Sequence, residues 1–553
     1  MIGIISFVGF TALVAIISYF ATRNTNENSS EGYFLGGRSL TAGVIAGSLL
    51  LTNLSTEQLI GLNGNAFSEG ILVMAWETLA AIAMVVTALF LLPRYLKSGL
   101  TTIPQFLADR FDVSTKTLTS FLFLTGYMVV LLPTILYTGS LAISGMFDIP
   151  EILNVTKSTA LWICIWGIGV IGSIYAIFGG LKAVAVSDTI NAIGLLIGGI
   201  LIPILGLLAI GDGSVFDGLS LLTEKASEKF NAVGTKTDSI PIATIFTGMM
   251  LVQLFYWGTN QQIIQRALAA KNLKEGQKGL LLGSFIKILG PLIVVIPGII
   301  AYYMHANGML EVSAPDEAYG ELVRKVLPTE LIGFFAAVIF GAILSSFNSV
   351  LNSAVTLFGV DIYKQHISKN ASERTVVKNG KLFGIILALA AMFIAPFLEN
   401  LSSIFEYLQR VNGIYSIPIL TIIVVGFTTK RVPAIAAKIG LLSGSILYIV
   451  SEFYVRPNLV SNALNEAKEL GITSPERLQE IEVDAYPHFL HIMAILFVIN
   501  VIIMLIIGRL KPRSESYVQT YTKQVEIVPW PYAKKVGLLI IGLVIFTFYY
   551  FKQ

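Results

Sequence analysis

Seven consecutive residues, Thr52-Asn53-Leu54-Ser55-Thr56-Glu57-Gln58, place six polar side chains inside an apolar run from Gly43 to Leu62. Each such group is costly in hydrocarbon, so together they should face a water-filled cavity or a bound solute. A helix interrupted at that depth also frees backbone carbonyls, which are tolerated only where they line a site and which suit a small cation. Ser345 and Ser346 lie in a second apolar stretch. Hard cations prefer oxygen ligands, so these hydroxyls and the carbonyls freed between Leu51 and Leu54 would make a small cage for sodium. The competing use of the serines is a bond back to a carbonyl one turn earlier.

Glu57, Glu77, Asp188, Lys287, Glu406 and Arg410 also fall in or at the ends of apolar runs. Glu406 and Arg410 are four apart and read as a structural pair on one helix. Glu77 and Lys287 have no opposite charge on their own turn. A polyhydroxylated solute between them would use a carboxylate acceptor and an ammonium donor together. Other motifs carry less. Gly167-Ile168-Gly169-Val170-Ile171-Gly172 matches GxGxxG but sits in a candidate membrane helix with no strand before it, so close helix packing is the better reading. His488 and His491 share a helix face without a third metal ligand and read as packing. No GxxxxGK[ST] loop is present, which disfavours an ATP-driven pump, and no catalytic constellation of nucleophile, His and acid is visible.

The elements that must position these groups are membrane spans. The 553 residues are 55% hydrophobic and only 13% charged, with a net charge of +3. Mean hydropathy is +0.76, against about 25% charged residues in soluble proteins. The single cysteine, Cys164, excludes an intrachain disulfide. Met1 to Phe20 has no basic leader region and reads as a retained first span. Fourteen runs are long enough to cross a bilayer, from Ile2–Phe20 to Val536–Phe551. Placing both termini outside puts 25 of the 37 basic residues, Arg266 among them, in inner loops, as the positive-inside rule requires. Two long acidic outer connections, Gly211–Ser239 and Tyr454–Pro487, read as solvated loops, with short surface helices as the alternative. A second polar interruption, Tyr256 to Gln262 within Ile242–Ile264, falls five spans after the first. Two broken segments so spaced point to an inverted-repeat transporter with its site between them.

At these residues the chain resembles the solute:sodium symporter family, most closely its sugar-carrying members. The resemblance rests on Gly32-Tyr33-Phe34-Leu35-Gly36-Gly37-Arg38-Ser39-Leu40, Asn53 to Gln58 and Gly179-Gly180-Leu181-Lys182-Ala183-Val184 through Asp188. It continues in Tyr256 to Arg266, Ser345-Ser346 with Leu351-Asn352-Ser353, and Asp361-Ile362-Tyr363. It implies an all-α polytopic membrane protein with an LeuT-like core of two inverted five-span repeats, one span before it and three after. As one transporter domain this divides into residues 1–42, 43–427 and 428–553.

The resemblance also implies residue roles. Sodium would be held by backbone oxygens of Leu51, Leu54 and Ala342 and the hydroxyls of Ser345 and Ser346. Sugar ligands would be Gln58, Glu77, Gln253, Lys287 and Gln409. Tyr256, beside Trp257, would be the inner gate, and Leu62, Trp76 and Phe405 the outer lid. Gln253 replaces an Asn, Trp76 a Tyr and Ala80 a Ser found in a sugar-carrying member. A second sodium in some relatives uses positions that fall here on Asp188, Ser345, Asn348 and Ser349. Asn348 breaks that pattern, so one sodium per sugar is expected, with Asp188 lining the ion's exit path or pairing near Lys182. The expected function is sodium-coupled import of a sugar such as galactose or glucose across a bacterial inner membrane, with sodium, the sugar and lipid as partners and no nucleic acid. The alternatives are another small solute on the same scaffold or, more remotely, a channel or sodium-gated sensor.

Overall fold

The computed structural model describes residues 2–23, 29–400 and 404–552. The first residues of the expected span Leu401–Phe427 lie outside these. Among the described residues the chain is helical, with two isolated β-bridges and no strand. Helix α1 (Ile2–Thr22) lies on the flank, with Ile5, Val8 and Phe20 turned outward. The first core span begins as α2 (Ala42–Asn53), which ends because Leu54 leaves the helix at φ −76°, ψ 60°. The chain resumes as a widened turn, Glu57–Leu62, and α3 (Asn63–Glu69). It reverses at Gly70 (φ 80°), where an added Cβ would lie 2.2 Å from the Lys229 carbonyl, and enters α4 (Ala75–Val86).

The third core span joins α5 (Val113–Gly126) to α6 (Leu132–Phe147). Helix α7 (Lys157–Ile210) is 54 residues long but makes two spans. At Gly180 its backbone takes φ 57°, ψ −179°, a conformation open to glycine and few others. The sixth core span is again broken. Helices α8 (Met250–Gly258) and α9 (Gln261–Leu268) meet at Asn260, and the span bends by 47° there. The Asn260 side chain accepts from the Gln262 N–H and caps α9. Then follow α10 (Leu273–Val294), α11 (Ile296–Ala306), α12 (Thr329–Thr356), α13 (Glu373–Ile394) and α14 (Ile404–Thr428). The last three spans are α15 (Ala434–Val450), α16 (Phe489–Leu510) and α17 (Ala533–Tyr550).

Twelve described helices are long and apolar enough to cross a membrane, and the bent pair α8–α9 makes thirteen. The fourteenth expected span does not register as one helix because α2 has only 12 residues before its break. The two acidic outer connections depart from the solvated-loop reading. They contain helices Val215–Lys225, Arg456–Glu469 and Pro475–Ala485. Local start signals explain this: Ser214 caps the first through the Asp217 N–H, and proline opens the other two.

In the core, α2 packs against α7 and α10, while α12 packs against α7, α1 and α6. The glycine motif serves this packing. A Cβ on Gly169 would strike Met392 of α13 at 2.4 Å, and one on Gly172 would strike Phe347 of α12 at 2.8 Å. At the end of the bundle bearing the basic loops, residues 511–532 run extended across the surface. The Arg513 and Tyr517 N–H groups donate to the carbonyls of Arg431 (2.8 Å) and Lys430 (3.0 Å), and Thr522 N–H to that of Lys97 (3.0 Å). The Glu526 carbonyl accepts from Leu273 N–H at 2.9 Å.

Candidate functional site

Glu77 stands in the first turn of α4 and Lys287 midway along α10, each 1% exposed. They pair directly: the ammonium donates to the Glu77 carboxylate and to Asn53 Oδ1 at the end of α2. The same ammonium lies 5.7 Å from the Trp257 ring centre. Direct pairing differs from the expectation of a solute lying between the two charges. Neither charge can stay unpaired in so dry a place, so each takes the other.

The pair borders a cavity lined by Gln58, Glu77, Gln253, Tyr256, Trp257, Lys287 and Gln409, together with Asn53, Trp76, Ala80 and Val252. All seven expected solute ligands therefore come together, from five separate spans. The cavity measures about 40 Å3, little more than one water's share of the liquid. Gln253 is partly committed, since its amide donates to the Trp76 carbonyl at 2.7 Å. Gln58 Oε1 is buried with no partner. On one side Trp76 and Phe405 meet edge to face, 5.3 Å between ring centres; Leu62, the third expected lid residue, is also buried. On the other, Tyr256 accepts a bond from Asn53 Nδ2 at 3.3 Å and packs on Trp257 at 5.2 Å. Asn53 thus joins lysine, tyrosine and the break. It belonged to the polar run, but nothing in its spacing marked it as the connector.

The expected cation cage draws on the broken end of α2 and on α12. Leu51, Leu54, Ala342, Ser345 and Ser346 are all buried. Ser346 Oγ donates to the Thr52 carbonyl at 3.2 Å, so α12 reaches across to the broken end of α2. Ser345 Oγ is buried with no hydrogen-bond partner within 3.5 Å among the described residues, and the Asp188 carboxylate is a charged neighbour. An unspent hydroxyl beside carbonyls released from their helix is the donor set a small hard cation needs. The serines therefore do not spend themselves on their own preceding turn.

Toward the basic end lies a second charged cluster. Asp188 of α7 is 1% exposed and accepts from Ser48 Oγ at 2.6 Å. Its ionic partner is Arg266 of α9, 3.9 Å away, and not Lys182. Arg266 is fully buried, which corrects its assignment to an inner loop. Its guanidinium also donates to the Gln262 carbonyl, to Ser349 Oγ and to Ser48 Oγ. Asn348 has neither amide atom bonded. Sequence reasoning missed Arg266 because a lone arginine after a span end looks like an ordinary loop charge.

Other expectations have plain outcomes. Glu406 and Arg410 pair on α14 at 2.9 Å, and Arg410 also holds Glu452 at 2.6 Å. His491 Nδ1 meets Thr247 at 2.9 Å and His488 packs on Phe489. Among the described residues no group of three or more metal-ligand side chains occurs.

The model of the sodium:solute symporter family matches residues 33–444. An uncharacterised symporter of Escherichia coli (strain K12), YidK, is 43% identical over 98% of this chain and 89% of its own. A sodium/glucose cotransporter of Vibrio parahaemolyticus is 32% identical over 80% of this chain and 83% of its own. Among solved structures, a Na+-coupled sialic acid symporter superposes with a TM-score of 0.75 at 20% identity, covering 94% of this chain and 99% of that one. It shares the fold.

Proposed function

This chain belongs to the sodium:solute symporter family, a multi-pass, sodium-coupled secondary transporter rather than an enzyme, and on that premise we propose that its solute is a sugar, a hexose such as galactose or glucose. The observation that carries this reading is the Glu77–Lys287 pair, bordered in one cavity by Gln58, Gln253 and Gln409. A charge-assisted acceptor, a charge-assisted donor and several amides match a ring of hydroxyls, each of which both donates and accepts. Tyr256 and Trp257 supply apolar faces for the C–H side of the ring. An anionic solute would meet Glu77 as a like charge. The name of the 32% identical relative, a sodium/glucose cotransporter, supports the same class.

Sodium binds first in the cage of Leu51, Leu54, Ala342, Ser345 and Ser346 and holds α2 against α12. Sugar then enters past Leu62, Trp76 and Phe405 and settles along the ion pair. The lid closes, Tyr256 swings aside, and both solutes leave past Asp188. The basic end faces the cytoplasm of a bacterial cell and both termini lie outside. One charge moved through 100 mV supplies about 2.3 kcal/mol, and a tenfold sodium gradient about 1.4 kcal/mol more. That sustains several-hundred-fold accumulation.

One sodium accompanies each sugar. The Asp188 pocket holds the Arg266 guanidinium, a cation fixed to the chain, and Asn348 stands where a third hydroxyl would be needed. The test is a sodium-jump uptake assay in proteoliposomes against a panel of labelled sugars. Sodium-dependent accumulation of a hexose is expected. Sodium-dependent uptake of amino acids or carboxylates alone would overturn the sugar assignment.

A further inference from the structure

A larger cavity lies at the end of the bundle away from the basic loops. It measures about 550 Å3 and shares no lining residue with the solute cavity. Its floor reaches Thr56, two residues past Leu54 at the break in the first core span. Its carboxylates, Asp148, Asp316, Glu317, Glu321 and Glu399, outnumber its cations, Lys157 and Arg324. Arg324 is already engaged by Glu321 at 3.2 Å.

Two groups in the chamber lack what their chemistry asks for. Asp316 presses on Gly64 of α3, where an added Cβ would lie 2.9 Å from its Oδ1, and it has no ionic partner among the described residues. Burial pushes its carboxyl up to about 6, so a mobile cation is the counter-charge that would relieve it. Tyr319, 4% exposed, lines the chamber, and its hydroxyl has no hydrogen-bond partner among the described residues. A phenolic oxygen and a carboxylate without an ionic partner, lining one acidic hollow, suit a hydrated monovalent cation.

We propose that this chamber is a collecting site for sodium, weak and water-filled, ahead of the cage at Ser345 and Ser346 and separate from the path of the solute. It rests on the sodium-coupled reading above but not on which solute is carried. Clefts of one sign raise the local concentration of counter-ions and speed their capture. Because the chamber borders Thr56 and shares no lining residue with the solute cavity, sodium would approach the break from beside α6 without crossing that cavity.

The experiment measures sodium dependence of uptake at saturating solute by the full chain in proteoliposomes, comparing wild type with Asp316→Asn, Asp316→Glu and Tyr319→Phe. Asp316→Asn should need about three- to ten-fold more sodium for half-maximal rate, with maximal rate and the solute KM at saturating sodium unchanged. Asp316→Glu should behave as wild type, and Tyr319→Phe should show a smaller shift in the same direction. Adding about 300 mM of an inert choline salt should shrink the difference by screening. Unchanged sodium dependence in Asp316→Asn overturns the proposal. So does a raised solute KM with normal sodium dependence, which would make the chamber a solute passage. Should Asp316→Asn not fold, Glu399→Gln carries the same readout. Wild-type protein that accumulates a solute other than sugar would sink the sugar reading and leave this sodium measurement valid.

Discussion

Two buried ion pairs, both within the core, are built for opposite purposes. In the Glu77–Lys287 pair the charges meet directly, and the ammonium has one further partner, Asn53. Amides with unspent atoms stand around it, such as Gln58 with its free carbonyl oxygen. In the Asp188–Arg266 pair the charges stand 3.9 Å apart, and each guanidinium nitrogen donates one hydrogen bond, to Ser48, Gln262 or Ser349. The first pair borders a cavity. In the second the cation is part of the chain and occupies the place beside Asp188, a filled seat in that sense, even though Asp188 Oδ1 and both Asn348 amide atoms make no hydrogen bond among the described residues. The difference teaches that open space beside a buried charge, and not unspent polar atoms alone, sets a binding site apart.

Removing the lysine should break this contrast most severely. Lys287→Ala leaves Glu77 buried and unpaired, at a cost of about 3–5 kcal/mol in stability. Loss of one charge-assisted partner should also weaken sugar binding about ten- to a hundred-fold, or roughly 1.5–3 kcal/mol. Unchanged sugar affinity in a binding assay would show the lysine to be structural, like its counterpart at Arg266.

The gate comes next. Tyr256→Ala removes the ring and the bond from Asn53, and should abolish accumulation or let solute leak from loaded vesicles. Tyr256→Phe keeps the stacking face and should retain much of the transport. Full accumulation by Tyr256→Ala would separate the gate from the solute pair.

A sharper test asks whether the second seat is filled. Arg266→Ala removes the tethered cation from beside Asp188, Ser48 and Ser349. The coupling ratio, read from reversal potentials, should rise from one sodium per sugar toward two. A wild-type ratio of two would sink the filled-seat account at once.

The smallest expected effect is a control far from both pairs. Arg477 and Glu480 pair on a helix at the surface, with side chains 64% and 50% exposed. Arg477→Ala should leave uptake unchanged and stability within about 0.5 kcal/mol. A larger loss would mean that the surface helices take part in transport.

Much of the fold was legible because polar residues in apolar runs are so costly that they mark themselves. The breaks at Asn53–Gln58 and Tyr256–Gln262 are both present, and the solute residues on five spans converge. Their convergence was inferred through resemblance, since periodicity within one span says nothing of which span faces it. The direct meeting of Glu77 with Lys287 was not legible for the same reason. Arg266 was misplaced because hydropathy sees a charge at a span end and cannot see a fold closing over it. The acidic connections misled because solvated loops and short capped helices have similar composition. Their helix starts at Ser214, Pro457 and Pro475 were the available signal.

The extended segment across the basic end has a consequence for kinetics. Its amide hydrogens are tied to the loops after α4 and α14, and its carbonyl at Glu526 to the start of α10. Those loops belong to different spans, so spreading them apart strains the same few bonds. The Tyr517 and Thr522 amides are therefore built-in clocks. Their exchange with deuterium should be slow while the basic end is shut and should quicken with each turnover. The rate at which two backbone protons are lost would count how often the carrier opens at that end, with no need to follow the cargo.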